Sequence, residues 1–123
     1  MVNTVFKGDI AEVSWGKETG LVLDGDGTAS GWALTSSTGN TSLITIGGNA
    51  VWQSTTLLLP DNALVGCVLT ISGGTNFASD DYASSRRSYY IIGNDTTNNT
   101  ITVQPALVSS TGNAASDDIL TIH

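Results

Sequence analysis

Few side chains in this protein could do chemistry, and their spacing limits what that chemistry could be. The one histidine, His123, is the last residue, where fraying would deny it the fixed geometry a general base needs. The one cysteine, Cys67, stands in VGCVLTI. Strand alternation would place it on one face with Val65, Leu69 and Ile71, the setting of a buried apolar thiol, and a single cysteine excludes an internal disulfide. The acidic pairs Asp80-Asp81 and Asp117-Asp118 direct neighbouring carboxylates to opposite sides of an extended chain, in polar loops that they are expected to solvate. Catalytic triads and acid–base pairs need a nucleophile, a base and an orienting group held together. That combination is missing from the pattern, so the expectation is a non-enzyme without a cofactor.

Two further motifs invite a binding role. DGDGTASG, from Asp24 to Gly31, has the look of a calcium loop. Such a loop requires glycine at its sixth position and glutamate at its twelfth, where this chain has Ala29 and Thr35. A plain acidic turn is expected, with no metal. Arg86-Arg87 is the one basic pair in an acidic chain. A guanidinium can form two parallel bonds to a carboxylate, so the pair could clamp a neighbouring subunit or satisfy Asp80 and Asp81 within its own chain. Acceptor patterns for glycosylation at Asn40, Asn94 and Asn98 are what chance produces in a chain so rich in Asn and Thr.

Composition narrows the partners. The chain has 123 residues, four basic against eleven acidic, and a net charge of -7, which argues against a phosphate backbone as a direct partner. Its 40% hydrophobic content is enough for the core of one domain. No apolar run approaches the roughly 18 residues of a membrane span. The opening MVNTVFKGDIAEVSW lacks the continuous apolar segment of a secretory leader, so folding in a reducing cytoplasm is expected.

The elements that would position these residues are strands. Short runs rich in Val, Ile, Thr, Trp and Tyr predict strands at 4–10, 12–15, 21–23, 43–46, 51–58, 65–71, 89–93, 100–104 and 119–122. They are separated by DGDG, SSTGN, GGN, PDN, SGGTN, NDTTNN and SSTGNAASDD, all readily turning sequences. The expected fold is all-β, a small antiparallel sandwich or barrel of short strands with an N-terminal extension. A shift in composition suggests an arm and linker over residues 1–34 and a β-domain over 35–123, although the first segment could equally supply the domain's first strands. Trp52 is expected in the core, and core packing is also the simpler role for Trp15 and Trp32.

The order LLLPDNALVGCVLTISGG, a polar Ser/Arg loop, SYYIIGNDTTNNTITVQPAL and a final DDILTIH resembles a small β-module of virion structural proteins of tailed bacteriophages. The likeness spans roughly Leu57 to His123. It rests on a hairpin whose matching positions are Ile91, Asn94, Asp95, Thr100, Ile101, Val103 and Pro105. The opening VNTVFKGDIAEVSWGKETG is similar in character to small structural proteins of marine cyanobacterial phages. The chain departs from the module before the hairpin, where it carries the longer TNFASDDYASSRRS.

The resemblance implies a non-enzymatic virion protein, most of all a capsid decoration or cement protein on the capsid surface, assembled in the host cytoplasm. Its implied partners are the major capsid protein and further copies of itself, a trimer being favoured. Val2, Val5, Phe6, Ile10, Val13 and Trp15 would form the capsid-docking surface, and Arg86 and Arg87 an intersubunit clamp. No nucleic acid, membrane or metal is expected. The alternatives are a tail, neck or fibre component of the same virion, or a module gripping host polysaccharide through Trp and Tyr.

Overall fold

Ile101 and Val103 alternate with Thr100, Thr102 and Gln104. In the computed structural model these five residues form one strand, its two aliphatic side chains fully buried. The structure describes residues 21–24, 31–46 and 60–123. The strands predicted at 4–10, 12–15 and 51–58 lie outside them, as do Trp15 and Trp52.

Eight strands are described: β1 (Leu21–Asp24), β2 (Trp32–Thr38), β3 (Thr41–Ile46), β4 (Val68–Ser72), β5 (Tyr89–Asp95), β6 (Thr100–Gln104), β7 (Gly112–Asn113) and β8 (Ile119–Ile122). All join one antiparallel sheet in the order β1-β8-β4-β5-β6-β3-β2-β7. Helical structure among the described residues is slight: a 3-10 turn at Ala78–Asp80 followed by one α-turn, α1 (Tyr82–Ser85). The all-β expectation therefore holds, in the form of a sheet curled into a half-barrel. Register irregularities between Leu34 and Ser36 and between Ile91 and Gly93 insert an extra residue on one strand, which bends and twists it.

Register places the apolar residues on the inner face. Ile44 pairs with Ile101, Ile91 with Val103, Leu69 with both Tyr89 and Ile122, and Ile71 with Leu120. With Trp32, Leu34 and Ile46 they form one buried cluster, closed by Leu64, Phe77, Leu107 and Ala114 from the loops. Trp32 packs on Phe77 with ring centroids 4.6 Å apart at 37°, and its Nε1 donates to the Asp118 carbonyl at 2.9 Å. Each such aliphatic or aromatic side chain contributes about 1.5–3 kcal/mol by leaving water. The outer face pairs Thr45 with Thr100, Leu43 with Thr102, and Thr70 with Thr121, a polar surface with few charges.

Three features differ from the sequence-based expectation. β2 was expected as linker and turn, because Ser36, Ser37 and Thr38 follow its apolar start; these hydroxyl residues instead pair across to β3, with Ser37 Oγ 2.6 Å from Ser42 Oγ. The boundary drawn between 34 and 35 falls inside this strand, and Trp32 and Leu34 belong to the core. β4 begins at Val68 instead of Val65. Residues 61–66 form turns alongside β5, through Gly66 N–H to the Ile91 carbonyl and Asn62 N–H to the Asn94 carbonyl, both 2.9 Å. Val65 is consequently exposed, while Cys67 packs against the core only in part.

Candidate contact surface

In each acidic pair one carboxylate is buried, against expectation, and only its neighbour reaches the surface. Asp80 is fully buried. Its carboxylate accepts the Tyr89 hydroxyl and the backbone N–H groups of Val108 and Ser109, the latter two at 3.0 Å. Tyr89 in turn accepts from Arg87 Nε at 3.0 Å, and Arg87 Nη2 donates to the Ala106 carbonyl at 3.0 Å. The Arg87 guanidinium also lies 5.5 Å from the centre of the Tyr89 ring. Burial and the bond to Asp80 push the Tyr89 phenol well above its ordinary range. The bond to Tyr89 raises Arg87 further above its already high value.

Asp118 is also fully buried, and it organises the loop after β4. Oδ1 accepts Gly74 N–H at 2.8 Å and Phe77 N–H at 3.2 Å; Oδ2 accepts Ala115 N–H at 2.8 Å and Asn76 N–H at 3.1 Å. Burial alone would raise the Asp118 carboxyl, but these four backbone donors outweigh it and hold the group below the usual carboxylate range. Asp117 accepts from the Thr75 amide and hydroxyl. Asp81 caps α1 by accepting Ser84 N–H, and its other oxygen accepts Gly73 N–H. The bond from Gly73, followed by those from Ser84, lowers its pKa. A Cβ at Gly73 would overlap the Phe77 carbonyl, so the path of this loop demands glycine.

The same principle governs the β5–β6 turn. Asp95 Oδ1 accepts Thr97 and Asn98 N–H, and Oδ2 accepts Asn98 Nδ2 at 2.7 Å. These bonds, that of the Asn98 side chain foremost, lower the Asp95 pKa. Asn94 is buried, its Oδ1 accepting Leu64 N–H at 2.9 Å. Asp61 Oδ1 holds the Thr96 amide and hydroxyl at 2.9 and 3.0 Å. Carboxylates engaged in this way organise backbone.

What the fold presents outward is the far face of β5. Tyr90 is 58% exposed and Ile92 45%, with Val65 at 48% on the adjoining turn; Val68 stands directly opposite Tyr90. At the N-terminal approach to this strip is Arg86, exposed, in left-handed conformation as the C-cap of α1. Its guanidinium has no partner among the described residues. Elsewhere on the surface, a shallow groove of about 210 Å³ runs between α1 and β8, lined by Thr70, Ser72, Thr121, Asp81 and Tyr82.

Of the residues expected to make contacts, Val2, Val5, Phe6, Ile10, Val13 and Trp15 lie outside the described residues. Arg86 and Arg87 are separated in role: Arg87 is committed within its own chain, and Arg86 is available. Tyr90 and Ile92 were not anticipated, although YYII carried the signal. Four apolar residues in a row on a strand with one dry face must send two of them outward. The network of Asp80 and Asp118 left no such trace, since adjacency in sequence does not reveal which amides fold back onto a carboxylate. No family description, curated protein or solved structure matches this chain.

Proposed function

We propose that this chain is a non-enzymatic structural protein of a tailed-phage virion, and specifically a capsid decoration or cement protein binding between capsomers. The observation that supports this most is how the motif residues of the resemblance are used. Ile91, Ile101 and Val103 are core, buried Asn94 ties the hairpin to the 61–66 turn, and Asp95 anchors its tip. Every one of them serves shape. A frame fastened by buried carboxylates, with low surface charge, suits a protein that adds contact area to a lattice, where many modest contacts act together. Docking is assigned to Val2, Val5, Phe6, Ile10, Val13 and Trp15.

The test is co-sedimentation with expanded capsids that lack this protein. The full chain should pellet with them, and a chain without residues 2–15 should fold yet stay in the supernatant. Capsid binding that survives the truncation would refute arm docking, and failure of the full chain to bind would refute the decoration role.

One feature favours a second reading, a host-polysaccharide module. Tyr82 is 45% exposed beside the hydroxyls of Thr70, Ser72 and Thr121, a combination of ring face and hydroxyls suited to a sugar. Binding on a glycan array, abolished by Tyr82→Ala, would favour it over the decoration role.

A further inference from the structure

We propose that the outer face of β5 pairs with the same face of a second copy of this chain about a two-fold axis. Tyr90 and Ile92 form its apolar centre, and Arg86 of each copy meets the acidic end, Asp61 and Asp95, of the other. This pairing does not depend on the virion reading.

Singly exposed apolar side chains are ordinary on a protein surface. Here Tyr90, Ile92 and Val65 are each close to half exposed or more and lie along one strand and its adjoining turn, with Val68 beside them. The strip is also electrically polarised. Its one cation, Arg86, lies at the start, and Asp95 and Asp61 lie at the end, Asp61 being bonded to Thr96.

That polarity selects the partner. A copy laid on the strip in the same direction would set acid against acid. A copy turned by a two-fold axis between Tyr90 and Ile92 brings Tyr90 over the other copy's Ile92. Arg86 lies four residues before Tyr90, and four residues after Ile92 lies Thr96, whose amide and hydroxyl hold the Asp61 carboxylate. Because the cation and the acids lie at opposite ends of β5, this turn brings each Arg86 toward the other copy's acidic end, and both such contacts form at once, as an isologous interface requires. Arg paired with carboxylate is the stronger, geometrically specific form of such a contact, and a central aromatic with an Arg at its margin is the composition of binding hot spots. Arg87 cannot substitute, because Tyr89 and Ala106 already take its donors.

Sedimentation equilibrium of the full chain tests this. The expected result is a dimer whose dissociation constant rises about tenfold or more in Tyr90→Ser and in Arg86→Glu, with circular dichroism unchanged. A charge exchange gives the sharper reading. Arg86→Glu and Asp61→Lys chains should each associate poorly alone, yet form a heterodimer when mixed, because both crossed contacts are then attractive. A wild-type chain that stays monomeric at high concentration, or closes as a trimer, would overturn the proposal. So would a dimer indifferent to Tyr90→Ser and Arg86→Glu, or a mixture that fails to restore association.

Discussion

The Tyr89 hydroxyl donates to the buried carboxylate of Asp80, and the same carboxylate accepts the amides of Val108 and Ser109. One side chain thus fastens the start of β5 to the segment leaving β6. Tyr89→Phe removes one of three donors to a buried charge, and leaves Arg87 Nε without its acceptor. Urea unfolding should show a loss of about 1–3 kcal/mol.

The Tyr89 phenol also makes an alkaline prediction. Its pKa is raised in the folded protein by burial and by Asp80, so the folded state holds this proton more tightly than the unfolded chain, where a tyrosine titrates near about 10. Its stabilising effect is complete below that pH and declines as pH rises beyond it. Stability against pH should fall less steeply above pH ~10 in Tyr89→Phe than in the wild type.

Asp118 has the opposite sign. Its folded pKa is depressed, so its contribution is present above the unfolded value of about 3.9 and is lost as pH falls below it. Asp118→Ala strands four backbone donors and should cost about 3 kcal/mol at neutral pH. Asp118→Asn should cost nearly as much, since its Nδ2 would face two N–H groups. Both variants should show a shallower acid transition than the wild type in circular dichroism.

Two glycines separate crowding from backbone strain. Gly73→Ala drives a methyl into the Phe77 carbonyl, and should destabilise by about 1–3 kcal/mol as overpacking does. Gly39, between β2 and β3, has φ +61° and open space around it. Gly39→Ala should cost about 1–2 kcal/mol from the left-handed backbone alone, and Gly39→Asn less. Thermal melts of the three variants check the ranking.

Phe77 fills the space under Trp32 from a loop. Phe77→Ala should lower stability by about 3–5 kcal/mol, measurable by urea titration. The loop it anchors should then exchange its amide hydrogens faster at Gly74 and Asn76, whose bonds to Asp118 depend on the same packing.

Strand alternation made much of this fold legible. Thr100–Gln104 and Ile119–Ile122 have the bounds that the pattern predicts, and a turn joins β5 to β6 as expected, although it is confined to residues 96–99 because Gly93, Asn94 and Asp95 continue β5. β2 escaped because the alternation of Trp32 and Leu34 lapses into Ser36, Ser37 and Thr38 beyond the bulge at Thr35. β7 has two residues, Gly112 and Asn113, too few to show a period. Alternation also misplaced Val65: Gly66, with φ +96°, breaks the extended path that would have aligned Val65 with Leu69. Asp80 and Asp118 were misread for a deeper reason. A carboxylate's environment is set by chain segments distant in sequence, as with Asp118 and the amides of Gly74, Asn76 and Phe77, and local pattern carries no information about them.

The central claim, a protein that works by lending contact area to a virion lattice, is tested most directly by counting its copies. Quantitative mass spectrometry of purified virions should give a ratio to the major capsid protein near one. A handful of copies per particle would contradict the decoration role and point to the tail, and absence from the particle would contradict the virion assignment altogether.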